Sequence, residues 1–345
     1  MLTSRNKRAK KNYSSGLLRR QKQGLVATKS EKFQIIYDAT HQPDSKLNVA
    51  DLCKVAGVSR SGYYNWESNA SKREADELKD RADFDLILEA YRYKGINKGV
   101  RGIHMHLLHQ KTAVIMNTKK IHRLMRKYGL YCPIRKPKLH RVTTNGFQKT
   151  ATAQNILNRR FDEYGPREAF TTDITYIFYD GGRKQCYLSV IRDVCTHEVM
   201  AHITSWSMTE DFVLETVNQF LINHKSEMKK GALLHSDQGI HYKCIDYRKL
   251  LKNKKLRQSM SRKANCWDNA PQESFFGHMK DEIKDKILIC RTITEVKKVI
   301  NDYMDYYNNE RGQWKLAKLT PKEYYEYRTT HKYPNYSYGR YKTMG

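Results

Sequence analysis

The chain has no run of 18 or more apolar residues, so no segment reads as a helix able to cross a bilayer. Its first 30 residues lack the apolar block of a secretory leader, and they lack acids altogether. None of the seven cysteines, at 53, 132, 186, 195, 244, 266 and 290, belongs to a CxxC pair. Such a dispersed, odd set argues against a disulfide framework and a structural zinc site, and it suits reduced thiols in a cytoplasm. His104, His106 and His109 have no acid or thiol beside them, so a solvated or phosphate-facing role fits them better than metal ligation. Acids are scarce throughout: 36 Asp and Glu stand against 64 Lys and Arg, a net charge of +28. That excess calls for a polyanionic partner, most commonly nucleic acid. A ribosome-associated protein or a binder of anionic membrane surfaces would share the signature. With 345 residues, 39% of them hydrophobic, two or three folded units with real cores are expected.

What is present changes in texture along the chain. Residues 1–30 hold nine Lys or Arg, a basic arm that reads as disordered and able to touch DNA. Residues 31–70 fit a helix-turn-helix domain. With Gly57 as the turn glycine, Leu52, Ala56, Val58, Tyr63 and Trp66 take the packing positions between helices, and Cys53 is small where they approach. Ser59 would cap the second helix, leaving Arg60, Ser61 and Asn65 to face a DNA groove. An ordinary helical hairpin would carry the same pattern. A charged bridge, 71–81, opens a second helical DNA-binding domain over 71–130. Its last helix, Thr118 to Tyr128, is apolar at Ile121, Leu124, Met125 and Tyr128 and basic at Arg123, Arg126 and Lys127. A basic linker over 131–160, with Arg135, Lys136 and Lys138 near its start, would follow a phosphate backbone.

From residue 161 the pattern becomes that of an α/β core reaching to about 290. Phe170–Tyr179, Gln185–Val194 and Glu198–Trp206 read as three strands in hairpin order, with Asp180-Gly181-Gly182 as the first turn. Two further strands, ending at His235 and Met260, alternate with helices, which implies a mixed five-stranded sheet. Residues 291–345 form a C-terminal helix and a tyrosine-rich basic tail.

Three acids in this core stand out. Asp173 lies within an apolar strand, where an unpartnered carboxylate is costly to bury. Asp237 follows a buried strand, and Glu273 opens a helix for which Asn269 is the expected N-cap and Gln272 the capping-box partner. Lys280 comes seven residues after Glu273, two helical turns, so both share a face with Gly277 between them. Three acids on a strand, a strand end and a helix can converge on divalent ions, and carboxylate oxygens are what magnesium prefers.

The motifs TTDITY, HSDQGIHY, NCWDNAPQESFFGHMK and YYNNERGQW, followed by Pro321 and Tyr324, resemble the transposases of the IS-three group of bacterial insertion sequences. More distantly they resemble retroviral integrases. The resemblance implies an RNase H-like catalytic core with a triad of Asp173, Asp237 and Glu273 using two magnesium or manganese ions, and Lys280 holding terminal DNA. One ion would activate water or a 3′-hydroxyl and the other stabilise the leaving oxygen, with no covalent enzyme intermediate. Its partners would be the double-stranded terminal inverted repeats of the element and target DNA, met by a homo-oligomer at the nucleoid of a bacterial cytoplasm. Relatives are often completed by an upstream frame that carries a helix-turn-helix and a leucine zipper. No heptad series precedes Glu31, so this chain looks like the downstream, catalytic frame. Two departures are visible: Phe170 stands at a usual Trp, and Gly312 at a usual Pro. The rival reading is a DNA-binding regulator whose core is catalytically silent.

Overall fold

The computed structural model describes residues 27–42, 45, 47–132, 153–262 and 266–334. The chain divides into two compact units, 1–83 and 84–345. The division falls inside one long helix.

The first unit is helical. Helix α1 (Lys29–Thr40) starts at a capping box made by Thr28 and Glu31. Helix α2 (Val49–Ala56) stops at Gly57, whose φ of +67° is the left-handed conformation that glycine adopts without strain. Helix α3 (Arg60–Ser68) begins with the Ser59 side chain accepting from the Gly62 amide. Phe33, Ile36, Leu52, Cys53, Ala56 and Tyr63 form the core between these helices, with Val58 and Trp66 at its margin. The side chains expected to pack between α2 and α3 lie in or beside this core. Helix α4 (Ala70–Arg92) absorbs the charged bridge of 71–81 as regular helix. That stretch has few apolar residues because almost every side chain on it faces solvent.

The second unit opens with the end of α4, helix α5 (Val100–Leu108) and helix α6 (Thr118–Lys127), packed through Ile87, Ile103, Leu107, Ile121, Leu124 and Met125. Its centre is a five-stranded sheet: β1 (Ala169–Tyr179), β2 (Lys184–Asp193), β3 (Val199–Ser205), β4 (Leu233–Ser236) and β5 (Arg257–Met260), ordered β3-β2-β1-β4-β5. The first three strands pair antiparallel, while β1–β4 and β4–β5 pair parallel. This mixed order is the RNase H-like arrangement. Helix α7 (Glu210–His224) covers one face, with Phe212, Val213, Val217 and Phe220 buried against Phe170 and Leu234. Two short helices, α8 (Ile240–Lys243) and α9 (Ile245–Asn253), lead from β4 to β5. The other face is covered by α10 (Ala270–Ile289) and α11 (Ile293–Asn309), through Phe275, Phe276, Met279, Ile283, Ile300 and Tyr303. A final helix, α12 (Pro321–Thr330), gives regular structure to the first part of the tyrosine-rich tail.

The YYNNERGQW motif ties these pieces together. Asn308 donates its side-chain amide to the Val199 carbonyl and accepts from the Val199 amide, so it pairs with β3 as a backbone would. Arg311 forks onto Glu282 of α10, at 2.6 Å from Oε1, and Tyr303 donates to the same carboxylate. Gly312 is buried. A side chain there would meet the Lys318 carbonyl at 3.0 Å and the Met105 side chain at 3.2 Å. The Gly for Pro departure thus marks a close approach of the C-terminal segment to α5.

Candidate active site

Strand β1 carries Asp173 two residues beyond Thr171, hence on the same face of the sheet. Thr171 lies opposite His235 in the parallel β1–β4 ladder. The ladder ends there; Asp237 follows the last residue of β4, Ser236, and lies close enough for its charge to act on Asp173. Both aspartates are half-buried. Burial and then the Asp237 charge push the Asp173 carboxyl up to about 8; Glu273 adds to this, while the Ile174 amide and Lys280 oppose it. Asp237 is also raised, first by burial, against the pull of the Gly239 amide, His241 and Lys243.

Glu273 arrives from the first turn of α10 and is exposed. The start of this helix departs from the expected capping. Asn269 makes no cap bond. Its Nδ2 instead donates to Asp173 Oδ2 at 3.1 Å. Gln272 is buried and accepts from the Thr171 hydroxyl at 3.1 Å. Both side chains are drawn to β1 because buried polar groups there need partners more than an exposed helix end needs a cap. Their bonds dock the start of α10 on the strand that carries Asp173. Lys280, half-buried two turns on, acts on the same aspartate.

Asp268 fixes the approach to the helix. Its carboxylate, fully buried, accepts from Arg262 Nη2 at 2.8 Å, from Arg159 Nε at 2.7 Å and from Asn155 Nδ2 at 2.8 Å. These donors hold it well below the usual carboxylate range. Neither Asp268 nor Asn269 is among the sequence-derived site residues. Their signal is position, five and four residues ahead of Glu273, and the N-cap reading of Asn269 hides it.

Among the described residues no three His, Cys, Asp or Glu side chains converge on a point where an ion would sit as they stand. The two aspartates nevertheless suit a divalent cation: they offer only oxygen donors, and each is raised as a cation would relieve. The third carboxylate would have to swing in from α10. The histidines are occupied elsewhere: His104 binds the Met116 carbonyl, His106 packs on Tyr93, and His109 lies 3.4 Å from Glu323.

Arg60, Ser61 and Asn65 are exposed on α3. Arg123, Arg126 and Lys127 are exposed on α6. Arg135, Lys136 and Lys138 lie outside the described residues.

Comparison with known proteins agrees with this architecture. Residues 163–266 and 273–329 match two families, each described as an integrase core domain, and 77–138 match an HTH-like domain. The chain is 33% identical over 279 residues to the putative transposase InsK for insertion sequence element IS150 of Escherichia coli, covering 79% of this chain and 92% of that protein. It is 31% identical to the uncharacterized 31 kDa protein of insertion element IS600 of Shigella sonnei, covering 80% and 97%. With transposase InsF for insertion sequence IS3A of E. coli it shares 28% identity, covering 84% and 97%. Among solved structures, the HTLV-2 integrase catalytic core in complex with magnesium matches 45% of this chain and 94% of that one, at 15% identity and a TM-score of 0.33. The chain belongs to the integrase-core insertion-sequence transposases of the IS-three group.

Proposed function

We propose that this DNA transposase cuts the ends of its element and joins them to target DNA at Asp173, Asp237 and Glu273. What supports the reading is that Asp173 on β1 and Asp237 just past the paired strand β4 are both raised, the first by burial and then by the charge of the second, and that Glu273 on α10 acts on Asp173 as well. These residues would hold two magnesium or manganese ions, which would supply an activated water or 3′-hydroxyl and neutralise the leaving oxygen. The chain's own part is positional. Asp173 is held in β1, Asp237 follows β4, Asn269 and Gln272 dock α10 against the sheet, and the charge of Lys280, further along that helix, acts on Asp173. An ammonium beside a carboxylate cluster suits a terminal phosphate.

The two helical modules would recognise double-stranded terminal repeats, through Arg60, Ser61 and Asn65 on α3 and Arg123, Arg126 and Lys127 on α6, with Arg135, Lys136 and Lys138 following the backbone. In this reading 1–30 is a DNA-touching arm, 31–70 and 71–130 are the binding domains, 131–160 is a linker, 161–290 is the catalytic core and 291–345 is its C-terminal support. Since two element ends must be paired, at least a homodimer works on DNA, at the nucleoid of a bacterial cytoplasm. An upstream-frame product with a leucine zipper would complete it.

The test is cleavage. Purified protein with Mg²⁺ and labelled element ends should yield nicked and joined strands. Asp237→Asn should remove those products and spare DNA binding. Strand cleavage by that variant at the wild-type rate would end the assignment, and a wild-type protein that binds ends without cutting them would favour the silent regulator.

A further inference from the structure

Asn269 has a divided side chain. Its Nδ2 donates to Asp173 Oδ2 at 3.1 Å, while its Oδ1 is buried with no hydrogen-bond partner. The residue as a whole is only 4% exposed. An amide carbonyl left unpaired in the interior is costly, so the site keeps it there against a penalty. The position is enforced from behind: Asp268, held by Arg262, Arg159 and Asn155, leaves the next residue little freedom. From in front, Gln272 is bonded to Thr171 on the same strand face as Asp173.

An amide has a property that a carboxylate or an ammonium lacks. Half a turn about Cβ–Cγ exchanges a donor for an acceptor with almost no change of shape. Without a cation, the donor end belongs on a carboxylate. With a cation on that carboxylate, a donor pointing at it is repelled and a carbonyl oxygen is attracted, carbonyl oxygens being ordinary ligands of hard cations.

Resting on the metal-site reading above, we propose that Asn269 turns its amide over when the cation binds and supplies its Oδ1 as a further oxygen of the site. The orphaned carbonyl is then the ligand held in reserve, and the Asp268 cluster is what keeps it within reach.

The full chain without DNA tests this, with Mn²⁺ as the probe and free Mn²⁺ read by electron paramagnetic resonance. Asn269→Ala should weaken Mn²⁺ binding about tenfold, the scale on which supporting groups tune metal sites. Asn269→Asp, equal in shape but with oxygen at both ends, should bind Mn²⁺ at least as tightly as the wild type. An amide that serves only as a donor to Asp173 competes with the cation for that carboxylate, so Asn269→Ala would then bind Mn²⁺ more tightly than the wild type. That result overturns the inference, as does unchanged affinity in Asn269→Ala. Asp173→Asn in the same assay separates the two levels. If it binds Mn²⁺ like the wild type, or if the wild type binds none, the metal site itself is misassigned and this inference goes with it.

Discussion

A carboxyl raised to about 8 is protonated at neutral pH, and Asp173 is in that condition while no cation is near. The sign of the stability effect follows from linkage. The folded pKa lies above the unfolded one, so the folded state binds the extra proton. Its contribution is complete below the unfolded value and disappears as pH rises through about 8. In chelator, the melting temperature should therefore fall between pH 5 and 8, and Asp173→Asn should flatten most of that fall; an equally steep fall in the variant would refute it. Mn²⁺ should restore stability, and at pH 7 its binding should release about one proton, readable in a weakly buffered titration. Gly312 gives a second prediction at this scale. A methyl group there strikes the Lys318 carbonyl, so Gly312→Ala should cost about 1–3 kcal/mol in denaturant unfolding. Of the proposed triad, Asp173 stands out in the sequence as an acid within an apolar strand, Asp237 as one just past a strand and Glu273 as one opening a helix. Asn269 and Gln272 were legible only as helix-capping types, because sequence spacing favours local partners. Their true partners, Asp173 and Thr171, lie on a strand about a hundred residues away.

Helix α10 is the element on which the site depends, and it is braced at both ends. Asn269 and Gln272 hold its start, and Arg311 grips Glu282 further along, where both side chains are largely buried. Removing the guanidinium strands Glu282 in that environment, so Arg311→Ala should destabilise the second unit by about 3 kcal/mol, while Arg311→Lys should lose less. Equal losses in calorimetry would mean that the fork geometry does not matter. Most elements were readable from their period: the strand boundaries fall within a residue or two of those expected, and Gly57, Ser59 and Gly129 end or begin helices as their chemistry predicts. Two things were not. The helix over 71–81 has no apolar stripe to announce it, since it is wet on almost all sides. The parallel pairing of β1 with β4 joins segments separated by α7 and two other strands, and no local pattern encodes such a partnership.

At the scale of the whole chain, the surplus of 28 positive charges makes affinity for DNA a function of salt. Binding to element ends should weaken steeply between 50 and 200 mM salt, by roughly a thousandfold if six phosphates are engaged. Arg60→Ala should lower the slope of that dependence by about one if the arginine meets a phosphate, and should change sequence preference instead if it meets a base. The charge total was plain in the sequence. One small contact also acts at this scale. An open sheet invites another chain to add a strand to its rim, and β3 is such a rim. By occupying both backbone groups of Val199, Asn308 works as a stopper in that seam. A further strand cannot pair at Val199 without first pulling the end of α11 loose. That end of β3 is thereby closed to strand addition.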